Sequence, residues 1–201
     1  MVESVPTARQ KLAEYLNAWG LVSHEAGEYA KAEPLYQRAL GIREQALGPT
    51  HPGVAQSLNN LAALYQAQGR YNAAEPLYQR ALTLRERVLG VDHPNVAQSL
   101  NNLAQLYHDQ GRYVEAEPFL QCALAIRERV LGPDHPDVAM NLNNLALLYH
   151  NQGRYATAEP LYQRALVIWQ QTLGPNHPDA EVVRQNYLAL LRATDRHAEA
   201  E

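Results

Sequence analysis

Four histidine–proline pairs, at His51, His93, His135 and His177, recur 42 residues apart. Imidazole is a common metal ligand, so a histidine metal centre is the first chemistry the set suggests. The spacing argues against it. One whole repeat separates each histidine from the next, whereas ligands of one zinc ion converge to bonds of about 2 Å. Each histidine also precedes a helix-starting proline, so an N-terminal cap or a loop hydrogen bond accounts for it. We therefore expect no metal and no cofactor. A second set is more informative: asparagine pairs at Asn59 and Asn60, Asn101 and Asn102, Asn143 and Asn144. A carboxamide both donates and accepts and carries no charge. It suits the N–H and C=O groups of an extended peptide, which need partners once water leaves.

Catalytic motifs are missing. The chain has no P-loop, no Gly-rich dinucleotide turn, no HExxH and no Ser/His/Asp set apart from the repeated residues. Residues recurring at equivalent places in three copies describe a periodic surface better than a single reacting centre. We expect no enzyme.

These residues belong to an internal repeat. Val54 to Asn95, slid by 42 positions onto Val96 to Asp137, is identical at 30 of 42 positions. The next slide, onto Val138 to Asp179, keeps 27 of 42. A degenerate first copy covers about 7–53, and a partial fifth covers 180–194. We read 1–194 as a single repeat domain and 195–201 as a polar tail. Within a copy, Val54, Leu58, Leu61, Ala62 and Tyr65 form one helical stripe, and Ala74, Leu77, Tyr78, Ala81 and Leu82 form another. Gly69 between them suits the left-handed position that ends a helix. Pro76 is expected in about the first turn of the second helix, where its missing N–H does little harm. Each copy is then helix, tight turn, helix and loop, with no strand signal. The fold class is all-α, a helix-turn-helix repeat solenoid.

Composition narrows the partners. The 201 residues carry 21 acidic and 17 basic side chains, a net charge of -4, which offers no footprint for nucleic acid or an anionic membrane. Cys122 is the single cysteine, so neither an internal disulfide nor a cysteine-based zinc site can form. Apolar runs are far shorter than the roughly 20 residues of a membrane span, and the N-terminus lacks a signal-peptide core. A cytoplasmic protein, monomeric or weakly homo-oligomeric, is expected.

The small and large apolar positions Leu58, Leu61, Ala62, Tyr65, Gly69, Tyr71, Ala74, Tyr78 and Ala81 resemble the tetratricopeptide repeat pattern. The 42-residue period, with its longer second helix and "DHP" loop, is similar to the repeats of kinesin light chains and their bacterial relatives. No heptad coiled coil accompanies it, so nothing supports a motor-associated role. The resemblance implies a right-handed superhelix of about four repeats plus a C-terminal capping helix, with first helices lining a concave wall.

Counting 100° per residue around the first helix, the side opposite Leu58, Leu61, Ala62 and Tyr65 carries Gln56, Asn60, Ala63 and Ala67. Later copies give Gln98, Asn102, Gln105 and Asp109, then Met140, Asn144, Leu147 and Asn151. Asn59, Asn101, Asn143, His108 and His150 lie on the flank. The expected function is a protein-interaction scaffold binding an extended peptide in an Asn-lined groove, through Asn60, Asn102 and Asn144 above all. The carboxylate clamp of tetratricopeptide co-chaperones needs Lys and Arg here, and this sequence lacks them. Two readings stand for the inner Asn59, Asn101 and Asn143, ligand contact or bridges between repeats. The alternative function is a structural module that self-associates through its end repeats. Trp19, at the position of Leu61 one copy earlier, is expected in the core, and Trp169 against the terminal helix.

Overall fold

The computed structural model describes residues 7–174 and 177–194. The tail read at 195–201 lies outside them. Among the described residues all regular structure is helical: α1 (Ala8–Glu25), α2 (Tyr29–Leu47), α3 (Pro52–Ala67), α4 (Tyr71–Leu89), α5 (Pro94–Asp109), α6 (Tyr113–Leu131), α7 (Pro136–Asn151), α8 (Tyr155–Thr172) and α9 (Pro178–Ala193). The chain divides into two compact units, Met1–Val91 with α1 to α4 and Asp92–Glu201 with α5 to α9.

Local chemistry accounts for the helix ends. Gly69 adopts φ +71°. The N–H of Arg70 then bonds Tyr65 C=O at 2.8 Å and that of Gly69 bonds Gln66 C=O at 2.9 Å, a Schellman closure that satisfies two terminal carbonyls. α4 starts at the next residue. Pro76 is the sixth residue of α4 rather than part of its first turn, and the helix continues through it. The histidines are caps: Nδ1 of His51, His93, His135 and His177 accepts the N–H two residues on at 3.0, 3.1, 3.1 and 3.3 Å.

Packing follows the stripes. In the first unit, Val54, Ala55 and Leu58 of α3 pack with Ala81 and Leu84 of α4, and Leu40 and Leu77 close the cluster. Ala62, Ala104 and Ala146 are fully buried or nearly so, and Tyr65, Tyr107 and Tyr149 are buried beside them. Ring and guanidinium chemistry latches successive pairs. Arg70 lies 4.0 Å over the Tyr65 ring and bonds Glu33 at 2.8 Å. Glu33 also accepts the Tyr65 hydroxyl at 3.0 Å. In the second unit Arg154, Tyr149 and Glu117 repeat the arrangement.

The expectation for Trp19 fails. Trp19 is 71% exposed, with Leu12, Tyr15 and Val22 bare on the same face of α1. The equivalent Leu61 is covered because α2 packs against α3. Among the described residues no helix covers the same stripe of α1. Gly20, in line with Ala62, allows Tyr36 to approach closely; an added Cβ would meet Tyr36 Cε1 at 2.7 Å.

One repeated core position varies in its polar partner. Tyr78 donates to Gln66 Oε1 at 2.9 Å. In α8 the equivalent Tyr162 faces a copy with His150 in place of Gln66, and its buried hydroxyl finds no partner. Burial raises the Tyr162 pKa above its ordinary value, keeping the phenol neutral. An unpaired buried hydroxyl costs roughly 1–3 kcal/mol. Tyr162→Phe is therefore expected to leave stability unchanged or raise it by up to about 1 kcal/mol. Tyr78→Phe is expected to lower it by about 1 kcal/mol. Denaturant midpoints check the opposite signs.

Candidate functional site

First helices lie side by side within each unit. Asn60 Nδ2 of α3 donates to Asn17 Oδ1 of α1 at 3.0 Å. In the second unit Asn101 Nδ2 of α5 donates to Asn141 Oδ1 of α7 at 2.8 Å, and Asn186 Nδ2 of α9 donates to Asn143 Oδ1 at 3.0 Å. Amide-to-amide bonds thus recur between neighbouring first helices.

The two asparagines of each pair differ in environment. Asn59, Asn101 and Asn143 are buried. With its oxygen turned toward Arg85, the Asn59 amide accepts from both guanidinium nitrogens at 2.8 and 3.0 Å. Asn59 thus bonds the second helix of its own repeat, while Asn101 and Asn143 bond the first helix of the next. Asn60, Asn102 and Asn144 are half-exposed. Gln56 Nε2 donates to Asn60 Oδ1 at 3.2 Å and Gln98 Nε2 to Asn102 Oδ1 at 2.9 Å, one turn along the same helix. These local bonds hold the outer amides in line.

The second unit gathers five of the residues singled out from sequence. Asn101, Gln105 and His108 of α5, with Asn144 and Leu147 of α7, line one small cleft, closed by Ala104 and Leu120. Asn101 is 7% exposed and its Oδ1 has no hydrogen-bond donor among the described residues; His108 Nδ1, 3.6 Å from Asp109 Oδ1, likewise has no hydrogen bond. His108 Nε2 meets Asn151 Nδ2 at 2.7 Å. Gln105 Nε2 donates to Asp109 at 2.7 Å. Met140 and Asn143 fall instead in a second cleft, beside Trp169. His150 is half-buried against the Tyr155 ring, with centroids 5.4 Å apart. Burial lowers its pKa, so the neutral ring is favoured.

Sequence reasoning placed Arg43, Arg85 and Arg127 on the second helix but gave them no role beneath this surface. Arg127 of α6 is buried. Its Nη1 donates to Asp137 C=O at 3.0 Å and to Asn141 Oδ1, and its Nη2 to Gln98 Oε1 at 3.1 Å. Arg43 does the same in the first unit, bonding Gly53 C=O at 3.0 Å and Ser57 Oγ at 2.8 Å. The signal was present: an arginine recurs at 43, 85 and 127 within an otherwise apolar stripe of the second helix. Burial pulls the Arg127 pKa below its ordinary value, and Asp137 opposes that shift. Among the described residues no group of three or more His, Cys, Asp or Glu could hold a metal ion. No described helix is long and apolar enough to cross a membrane.

Comparison with known proteins agrees with this architecture. The family model for the tetratricopeptide repeat matches residues 11–87, 55–128, 96–154 and 137–201. The crystal structure of BtubC (BKLC) from P. vanneervenii superposes with a TM-score of 0.83 at 29% identity, covering 96% of this chain and 76% of that one. A Podosopora anserina putative kinesin light chain, with nearly identical TPR-like repeats, gives 0.81 at 24% identity over 97% and 92% of the two chains. Nephrocystin-3 of Xenopus laevis is 44% identical over 54 residues, 27% of this chain. That match spans only 4% of nephrocystin-3.

Proposed function

The chain belongs to the tetratricopeptide repeat family, and from that membership we propose that it is a non-catalytic, cytoplasmic scaffold binding an extended peptide along the amide-lined faces of its first helices. Tetratricopeptide repeats generally mediate protein–protein interaction. The observation that carries the finer reading is the α5–α7 cleft. It brings Asn101, Gln105, His108, Asn144 and Leu147 together around a buried amide oxygen that lacks a donor. A peptide N–H is the complementary group, and an unmet buried acceptor costs roughly 1–3 kcal/mol until one arrives. In this reading Asn60, Asn102 and Asn144 bond the guest backbone. Asn101 Oδ1 accepts a guest N–H, and Gln56, Gln98 and the inner Asn59 and Asn143 hold the outer row in place. Met140, Leu147, His108 and His150 provide contacts for guest side chains.

The test uses a peptide selected from a random display library against the intact chain. Each amide–backbone bond contributes about 1 kcal/mol. Changing Asn60, Asn102 and Asn144 together to Ala should then weaken Kd about 100-fold. The melting temperature should stay within about 2 °C, because the outer row is half-exposed. An unchanged Kd would remove these residues from the interface. A second reading, self-association through the end repeats, is supported by the bare stripe Leu12, Tyr15, Trp19 and Val22. Its mark would be a sedimentation mass that rises with concentration.

A further inference from the structure

The junction of α7, α8 and α9 departs from an arrangement that two earlier copies share. Arg43 and Arg127 each donate to a carbonyl in the first turn of the following helix, Gly53 C=O and Asp137 C=O. Each also bonds a polar side chain one turn on, Ser57 or Asn141. Counting 42 onward from Arg127 reaches Trp169, and from Asn141 reaches Val183. The guanidinium and its side-chain acceptor have been replaced together. Gln98, the third partner of Arg127, becomes Met140.

An open cleft of about 220 Å³ accompanies the change. Pro136, Met140, Trp169 and Val182 supply apolar surface, Asn143 an amide, and Asp137 and Asp179 carboxylates. Trp169 is only 4% exposed, so its indole forms a fixed wall. The charges around the cleft are few. Arg127 lies near Asp137 and attracts it. His177 Nδ1 accepts the Asp179 N–H and stands 3.7 Å from its Oδ2. Two carboxylates thus line the cleft, with Arg127 near one of them.

We propose that this cleft is a binding pocket for an arginine side chain of the partner peptide. The inference rests on the peptide-binding reading above and names the chemistry of one guest side chain. The volume falls below the roughly 300–1,000 Å³ of small-molecule sites and suits one long side chain. The methylene shank lies against Met140 and Val182. The planar guanidinium meets the small exposed part of Trp169 and donates to Asp179 and Asp137, which a compact ammonium does less well. A wholly apolar guest would desolvate the carboxylates without pairing them, and an acidic one would be repelled. The earlier copies show that a guanidinium fits this register, since there the chain supplies its own.

The experiment uses the intact chain and immobilised nonapeptide pools, random except for a central Arg, Lys, Leu or Glu. The Arg pool is expected to retain at least tenfold more protein than the Leu and Glu pools, and more than the Lys pool. Asp179→Asn should erase most of that preference while the melting temperature holds. Trp169→Arg, which restores the residue of the earlier copies and places the chain's own guanidinium beside the carboxylates, should erase it as well. Equal retention by all four pools, lost in the triple asparagine variant, would overturn the pocket and leave the groove standing. Retention by no pool would overturn both. A preference for Arg that survives both cleft substitutions would place the arginine site elsewhere and overturn the proposal.

Discussion

Arg127→Ala is expected to lower stability by about 3 kcal/mol, read as a shift of the urea midpoint at unchanged slope. Arg127 is 2% exposed; its Nη1 and Nη2 donate to Asp137 C=O, Asn141 Oδ1 and Gln98 Oε1, while Nε has no partner among the described residues. Hydrogen bonds to charged groups contribute about 1.5–3 kcal/mol each, against a desolvation cost already incurred in the native state. Removing the side chain leaves acceptors unmet and a gap between α5 and α7. Arg127→Lys should lose an intermediate amount, because an ammonium cannot span the forked set of acceptors. Arg129 provides the control. It pairs with Asp92 on the surface with both side chains well exposed, and such pairs contribute about 0–1 kcal/mol. A midpoint for Arg127→Ala equal to that of Arg129→Ala would show that the buried arginine holds nothing together.

Leu61→Ala and Trp19→Ala should differ by several-fold although both sit at the same repeat position. Leu61 is 4% exposed between α2 and its neighbours. Its truncation combines lost transfer energy with a cavity, about 2–5 kcal/mol. Trp19 loses a larger side chain, yet little of it is removed from water. A cost below about 1 kcal/mol is expected, within the range of ordinary surface changes. Thermal or urea unfolding of the two variants decides it. Comparable losses would mean that α1 packs on something in solution, as the self-association reading requires.

The apolar stripes, Gly69 and the histidine–proline pairs made the helix pairs, their closing turn and the His caps legible from the sequence. Each depends on residues a few positions apart, and the 42-residue identity multiplied the signal. The amide surface was legible in part. Helical counting put Gln105, Asn144 and Leu147 opposite the core stripe and Asn101 and His108 on the flank, and the α5–α7 cleft gathers all five. Counting did not separate Met140 from that group, although it belongs to the cleft beside Trp169. The buried arginines were overlooked because a charged residue in a stripe reads as exposed, unless its acceptors on the next repeat are known.

The sequence by itself determined the period, the handover from one helix to the next, and the all-α class. Those features follow from backbone preferences and the apolar period, which act within about one turn of chain. Only the tertiary structure decided which copy of a repeated residue is covered: Leu61 but not Trp19, Tyr78 with an acceptor and Tyr162 without. Burial and hydrogen bonding belong to two surfaces at once, and a residue's own neighbours along the chain do not contain the second surface.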